Sequence, residues 1–390
     1  MDRKKIAFVH HAMVMGGAEK AFIELLKSID YTRYEVTVWL ENDRGELHSQ
    51  LDPRVEIRLW EPFICRDYWP LFRDLLRRGR LVSAAGSVLG RGLSRRFRND
   101  SFKNLKYHLL SLAVTFDGIY DAVIGVNALN SLPSMIALYA FPAKKRLVWL
   151  HGLSPHVMPA YEPIPLEPVL DGADGIICVS EAVREAMYDT FPALRGKAEV
   201  IYDLIDLREI REKADEEIPE RFDRPVLVTV SRLTKEKGID LIPPAAKLLR
   251  ESGLDFRWLV IGYGICRKSI EKLIEQFGVS DCVSLPGTRM NPYPYIAGST
   301  VYVQPSYSEG FCLSALEAKT LEKPVVATEM PALQELFDED EYVLCEASPA
   351  SLAEGISGVL RGETAIQNRT RLDEAYNREQ LRRFCDFLEK

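Results

Sequence analysis

Glu309 and Glu317 stand eight residues apart in Ser-Glu-Gly-Phe-Cys-Leu-Ser-Ala-Leu-Glu, directly after the β-type run Thr300-Val-Tyr-Val-Gln-Pro-Ser. The apolar pattern changes there from a buried strand to a helix beginning near Leu313. Glu309 therefore falls in the connecting loop and Glu317 about one turn into the helix, so that both carboxylates can face one crevice. The N–H groups of Gly310, Phe311 and Cys312 at the helix start lack intrahelical acceptors and can donate to hydroxyl or anionic oxygens, while Gly310 lets the backbone pass close to a ligand. Such a site suits a polyhydroxylated, negatively charged substrate. The plainer alternative is that Glu309 answers the helix dipole and Glu317 is a surface acid.

Two cations sit on another strand-to-helix loop. Arg232 follows the run Val226 to Ser231, and Lys237 precedes Gly238 and a helix whose expected N-cap is Asp240, with Pro243 and Pro244 tolerated in its first turn. Five residues apart, they can converge on a diphosphate. A clamp of this kind is most valuable when the diphosphate is a leaving group, because the charge it must hold grows in the transition state. Elsewhere, Gly16-Gly17 lies between the first strand and the first helix, Ile261-Gly262-Tyr263-Gly264 ends a strand without the third glycine of a dinucleotide fingerprint, and His151-Gly152 follows Val148-Trp-Leu. Each of these also has an ordinary structural reading as a turn, a cap or a packed histidine. The chain has no phosphate loop ending in Gly-Lys-Ser/Thr, no Gly-x-Ser-x-Gly elbow and no His-Glu-x-x-His helix. Asp338-Glu339-Asp340 reads as a polar turn rather than a metal site.

The elements that must hold these residues alternate in the manner of parallel α/β proteins. From Pro225 onward the pattern gives strands at Pro225–Val230, Phe256–Gly262, Cys282–Leu285, Thr300–Gln304 and Pro324–Thr328, with helices between them at 241–250, 269–277, after Gly310 and near Leu333. The first half shows the same grammar less regularly, at Lys5–His10, Glu35–Leu40, Val55–Leu59, Asp121–Val126, Arg146–Leu150 and Gly175–Val179. A chain of 390 residues exceeds what one core usually serves. Two doubly wound domains are expected: residues 1–205, joined by a final helix within 370–390; a charged linker at 206–224; and residues 225–369. In open α/β sheets ligands sit at the carboxyl ends of the strands, where all the residues above fall.

Composition, at 47% hydrophobic and 27% charged, fits a globular protein. No run reaches the ~18 apolar residues that span a bilayer, and the opening Met-Asp-Arg-Lys-Lys-Ile-Ala-Phe-Val reads as a first strand, so a cytosolic location is expected. Seven scattered cysteines without Cys-x-x-Cys spacing argue against disulfides and zinc. The net charge of −7 conceals a basic segment: residues 66–106 hold eleven Lys or Arg against three Asp or Glu, interleaved with Tyr68, Trp69, Phe72, Phe97 and Phe102. An anionic membrane surface or acceptor would be attracted to it, and no nucleic-acid module accompanies it. A solvated basic face is the alternative.

Taken in order, Gly16-Gly17-Ala18-Glu19, His151-Gly152, Ser231-Arg232 with Lys237-Gly238, Gly262-Tyr263-Gly264, Pro286-Gly287, Pro305-Ser306, and Glu309-Gly310-Phe311 with Leu316-Glu317-Ala318 resemble the retaining GT-B glycosyltransferases of glycosyltransferase family 4. The resemblance spans nearly all of the C-terminal half and two islands of the N-terminal half. It implies two Rossmann-like domains facing a central cleft, and transfer of a sugar from a nucleotide donor, most simply a UDP-sugar, to a glycan or lipid-linked acceptor without an obligatory metal or other cofactor. It implies that Arg232 and Lys237 bind the diphosphate, that Glu317 binds the ribose, and that Glu309 with Gly310, Phe311 and Cys312 cradles the sugar. Gly262, Tyr263, Gly264 and Gly287 would line the donor site, with His151 and Gly17 on the acceptor side. Glu309 could act as nucleophile or only position the sugar. A sugar-nucleotide epimerase of the same architecture and a non-catalytic sugar-nucleotide-binding subunit are the competing functions. Where the family often has an Asn-Pro turn this chain reads Asp203-Leu204-Ile205-Asp206, and residues 60–110 align with nothing in it.

Overall fold

A computed structural model describes residues 3–60, 116, 118–127, 131–152, 172–218, 223–338, 340–366 and 373–390. The basic segment 66–106, Cys65, Glu339 and part of the expected linker lie outside the described residues. Two compact units divide the chain: Met1–Leu204 with Glu379–Lys390, and Ile205–Arg378.

The first unit contains β1 (Lys4–His10), α1 (Gly17–Ser28), β2 (Tyr34–Leu40), β3 (Glu56–Leu59), β4 (Tyr120–Asn127), α2 (Leu132–Tyr139), β5 (Ala143–Leu150), β6 (Gly175–Cys178), α3 (Glu181–Thr190) and β7 (Ala198–Val200). Its seven strands are ordered β3-β2-β1-β4-β5-β6-β7, and every pairing is parallel. The central strands are near-continuous apolar runs because helices cover both faces. One face packs Ala7, Val9, Trp39, Val123 and Ile136. On β1's other side Phe8 meets Phe22 of α1 edge-on at 5.1 Å between ring centroids and stacks on Phe384 at 6.3 Å. Helix α1 begins at Gly17 itself, with Gly16 in an extended N-cap conformation.

The second unit opens with α4 (Leu207–Ala214), inside the stretch expected as a linker. Asp206 caps it by accepting the Glu209 N–H at 2.8 Å, and Ile210 is buried, so the charged sequence had concealed a short amphipathic helix. Then follow β8 (Val226–Val230), α5 (Ile242–Glu251), β9 (Arg257–Ile261), α6 (Arg267–Gln276), β10 (Val283–Gly287), α7 (Tyr293–Ala297), β11 (Val301–Gln304), α8 (Leu313–Thr320), β12 (Val325–Thr328), α9 (Pro331–Gln334), β13 (Val343–Cys345) and α10 (Pro349–Leu360). The six strands run β10-β9-β8-β11-β12-β13, all parallel. Alternate residues feed two cores. Leu227, Val301, Val303 and Val326 pack under α5 and α10; Val226, Val228, Tyr302 and Ala327 pack with Ala315 and Ala318 of α8.

Asp240 does not cap α5. Gly238 takes a left-handed conformation (φ 59°), residues 239–241 form a 3-10 turn, and Leu241 becomes the N-cap. The last helix is α11 (Glu374–Glu389), and its residues from Glu379 onward belong to the first unit. Gln380 there accepts the Tyr202 N–H at 3.0 Å, and Arg383 donates to Glu199 at 2.8 Å.

Candidate functional site

Strand order in the second unit reverses direction between β8 and β11, which opens a crevice at their carboxyl ends. The loops that follow these two strands carry Arg232 and Lys237 on one side and Glu309 on the other. They are tied backbone to backbone: the N–H groups of Tyr307 and Ser308 both donate to the Glu236 carbonyl, at 2.9 and 3.3 Å. The Tyr307 hydroxyl donates to Asp240 at 3.0 Å. At Gly238 a Cβ would lie 1.9 Å from the Pro305 carbonyl oxygen, so close approach and positive φ both require glycine.

The loop after β9 is fixed in the same way. Gly262 (φ 146°) leaves only 1.9 Å between a Cβ position and the Ser231 carbonyl oxygen, while Gly264 lies against the Leu233 backbone. Leu233 N–H donates to Tyr263 at 3.0 Å and Gly262 N–H to Gly287 at 3.1 Å. The glycines expected to line a donor site thus also lock three loops together, and the exposed Tyr263 side chain projects from them.

Lys237 and Glu309 form a direct ion pair at 2.6 Å, and both side chains are largely buried, 16% and 8% exposed. Sequence reasoning had assigned them to different parts of a ligand and missed this contact. Arg232 is far more exposed, at 62%, with Glu236 at 3.8 Å. Glu309 also accepts from Ser306 Oγ at 2.7 Å and Gln304 Nε2 at 3.1 Å. Glu317 is buried on α8 and accepts from the Tyr293 hydroxyl at 3.2 Å. Each carboxylate therefore has its own set of donors.

Cys312 is the N-cap of α8 and holds the left-handed conformation (φ 64°) that a residue with a Cβ adopts at a cost of about 1–2 kcal/mol. It is buried, and desolvation followed by the Glu309 charge pushes its thiol well above the ordinary range, which leaves it unreactive. Phe311 beside it is buried, and Gly310 is half-buried.

In the first unit, His151 follows β5 with its Nδ1 3.6 Å from Asp203 Oδ1, in the segment where the sequence departs from the family turn. Its ring lies against Trp149 at 4.7 Å between centroids, and its Nε2 has no hydrogen-bond partner among the described residues. His10, the last residue of β1, was not singled out from sequence. It is wholly buried, stacks on Phe22, and lies 3.7 Å from Glu19. Burial, then the charges of His11 and His151, push it down to about 3, so it is neutral at ordinary pH. Gly17 is the first residue of α1.

Comparison with known proteins shows what this geometry is similar to. Residues 210–378 match the model of Glycosyl transferases group 1. A Campylobacter jejuni N-acetylgalactosamine-N,N'-diacetylbacillosaminyl-diphospho-undecaprenol 4-alpha-N-acetylgalactosaminyltransferase is 30% identical over 222 residues, 54% of this chain and 60% of the relative. Across the curated relatives it matches, the chain spans 28% to 60% of their length. Among solved structures, Anabaena Alr3699/HepE in complex with UDP and glucose superposes with a TM-score of 0.67 at 18% identity, covering 100% of both chains. A Staphylococcus aureus TarM variant bound to fondaparinux, alpha-GlcNAc-glycerol and UDP gives 0.70 at 14% identity, again over 100% of both. The chain has the GT-B fold, and its residues 210–378 are similar to Glycosyl transferases group 1.

Proposed function

We propose that this protein is a retaining glycosyltransferase of family 4 that moves a hexosyl-type sugar from a UDP-sugar to a lipid-linked or polysaccharide acceptor in surface-glycan synthesis. The observation that carries the proposal is the crevice between β8 and β11, where Arg232 and the buried Lys237–Glu309 pair lie on loops interlocked by glycines and α8, which follows the Glu309 loop, carries the buried Glu317. In this reading Arg232 and Lys237 hold the diphosphate whose negative charge grows as the glycosidic bond breaks. Glu317 takes the ribose hydroxyls. Glu309 and the amides of Gly310, Phe311 and Cys312 take those of the sugar, while Tyr263 and the backbone at Gly262, Gly264 and Gly287 complete the donor site. His151 and Gly17 serve the acceptor side. Relatives named for lipid-linked and O-antigen glycan synthesis support the acceptor class, and two solved neighbours in complex with UDP support the nucleotide. Retention is served either by same-face attack with the leaving phosphate as base or by a covalent intermediate on Glu309. Its three hydrogen-bond partners favour the positioning role over the nucleophilic one.

The test is thermal stabilisation by UDP, GDP, ADP and their hexoses. UDP and a UDP-hexose are expected to raise the melting temperature, since only a ligand of the folded state does so. No shift with any nucleotide would overturn the reading, and consumption of donor without acceptor or water would point to the epimerase instead. Among the described residues no helix is long and apolar enough to cross a membrane. The basic segment 66–106 supports cytosolic, peripheral contact with an anionic bilayer. Anionic vesicles should retain the protein at low salt and release it at high salt, and equal retention by neutral vesicles would refute the electrostatic contact.

A further inference from the structure

Gln304, the last residue of β11, is a wholly buried amide ending a strand whose other residues are apolar or aromatic. Every position of that amide is used. Its oxygen accepts from the Tyr302 hydroxyl at 2.8 Å and from Ser314 Oγ at 3.1 Å. Its nitrogen donates to Ser306 Oγ at 2.8 Å and to Glu309 Oε1 at 3.1 Å. The opposite orientation would set the amide oxygen against the Glu309 carboxylate, so the neighbours decide which end is which. Ser306 relays the same polarity by accepting from Gln304 and donating to Glu309 at 2.7 Å.

Counting acceptor positions on Glu309 gives the consequence. A carboxylate oxygen offers two lone pairs. Oε1 is filled by Ser306 and Gln304, whereas among the described residues Oε2 takes only Lys237, at 2.6 Å. We propose that Gln304 is a positioning residue: with Ser306 it occupies Glu309 Oε1 and so directs an incoming ligand hydroxyl to Oε2, beside Lys237. This rests on the sugar-positioning role of Glu309 proposed above. It adds that the role is set by a residue that touches no ligand, anchored through Tyr302 and Ser314 to β11 and α8.

The experiment compares the wild type, Gln304→Met, Glu309→Gln and the double variant, in thermal stability, UDP binding and hydrolysis of UDP-glucose and UDP-N-acetylglucosamine. If Gln304 acts through Glu309, the double variant turns over no more slowly than Glu309→Gln alone, and its stability loss is smaller than the sum of the two single losses, the remainder belonging to the Tyr302 and Ser314 hydroxyls that Gln304→Met also leaves. Gln304→Met alone should lose about 10- to 100-fold in kcat, the worth of a hydrogen bond to a charged group, with UDP affinity held within about threefold. Losses that add, or a Gln304→Met enzyme with wild-type kcat, would overturn the proposal. Gln304→Glu guards against a variant that fails to fold: the introduced carboxyl can donate to Glu309 only when protonated. Its activity relative to wild type should therefore rise as pH falls, and a flat ratio counts against the positioning role. If the wild type neither binds UDP nor consumes either donor, the glycosyltransferase reading fails, and the stability cycle alone decides whether Gln304 is coupled to Glu309.

Discussion

Lys237 is held by Glu309, and that pairing changes what its removal should do. Lys237→Ala deletes a cation of the proposed diphosphate clamp and also leaves a carboxylate that is 8% exposed with only two neutral donors. Turnover is expected to fall roughly 100- to 1000-fold, as when one donor to a developing anion is lost. Stability should fall by about 1–3 kcal/mol through loss of the charged hydrogen bond. Steady-state kinetics and urea denaturation check the two effects separately; unchanged kinetics would remove Lys237 from the site. Arg232, mostly exposed, has no such structural debt. Sequence spacing could place Glu309 and Lys237 at strand ends, but it could not show their contact. They lie on loops after β8 and β11, which are neighbours in the sheet and far apart in the chain. Gln304 escaped notice for a related reason: a single amide ending an apolar strand reads as a strand terminus, and only its four partners reveal its task.

At the scale of elements, helix α8 must stay fixed for Glu317 and Cys312 to keep their places. Two turns of small side chains, Ala315 and Ala318, let it lie close on the sheet. Lys319 fastens its far end. That cation is buried, pairs with buried Glu341 ahead of β13, and lies 4.6 Å from the Phe337 ring centroid. Glu341 also accepts the Asp338 N–H at 2.8 Å. Lys319→Met strands a buried charge and should cost about 3–5 kcal/mol, most of it recovered when Glu341→Leu is added. Urea denaturation of both variants measures this, and equal stability of single and double variants would contradict it. The strands of this unit were legible because buried parallel strands are apolar runs between turn residues. The helix at the linker and the boundary of α5 were less so. Caps depend on tertiary partners: Asp240 is drawn away to Tyr307, while Asp206, at a position read as irregular, caps α4. The basic segment, which carries most of the acceptor and membrane expectations, lies outside the described residues.

Across the whole molecule, pH acts through buried groups rather than through the net charge of −7. His10 in the folded chain is pushed down to about 3 from an ordinary 6.5. Below about pH 6.5 the unfolded chain binds a proton there that the folded chain does not, so stability falls as pH falls from that value toward 3. Between about pH 7.5 and about pH 5 this histidine alone should cost ~2 kcal/mol. His11, His151 and Glu19 face it. His10→Leu should therefore flatten the slope without abolishing it, as read from denaturation at the two pH values; an unchanged slope would show that His10 does not set it.

The interlocked loops of the second unit bear on how such a protein could change its substrate. With Gly238 and Gly262 pressed against neighbouring carbonyls, the floor of the crevice admits no new side chains without rebuilding the backbone. Variation is left to the projecting tips, Tyr263, Ile265 and Met290, which are 70%, 92% and 53% exposed. Evolutionary drift or directed selection for a different donor would accumulate at those three positions, while the floor passed unchanged from one specificity to the next.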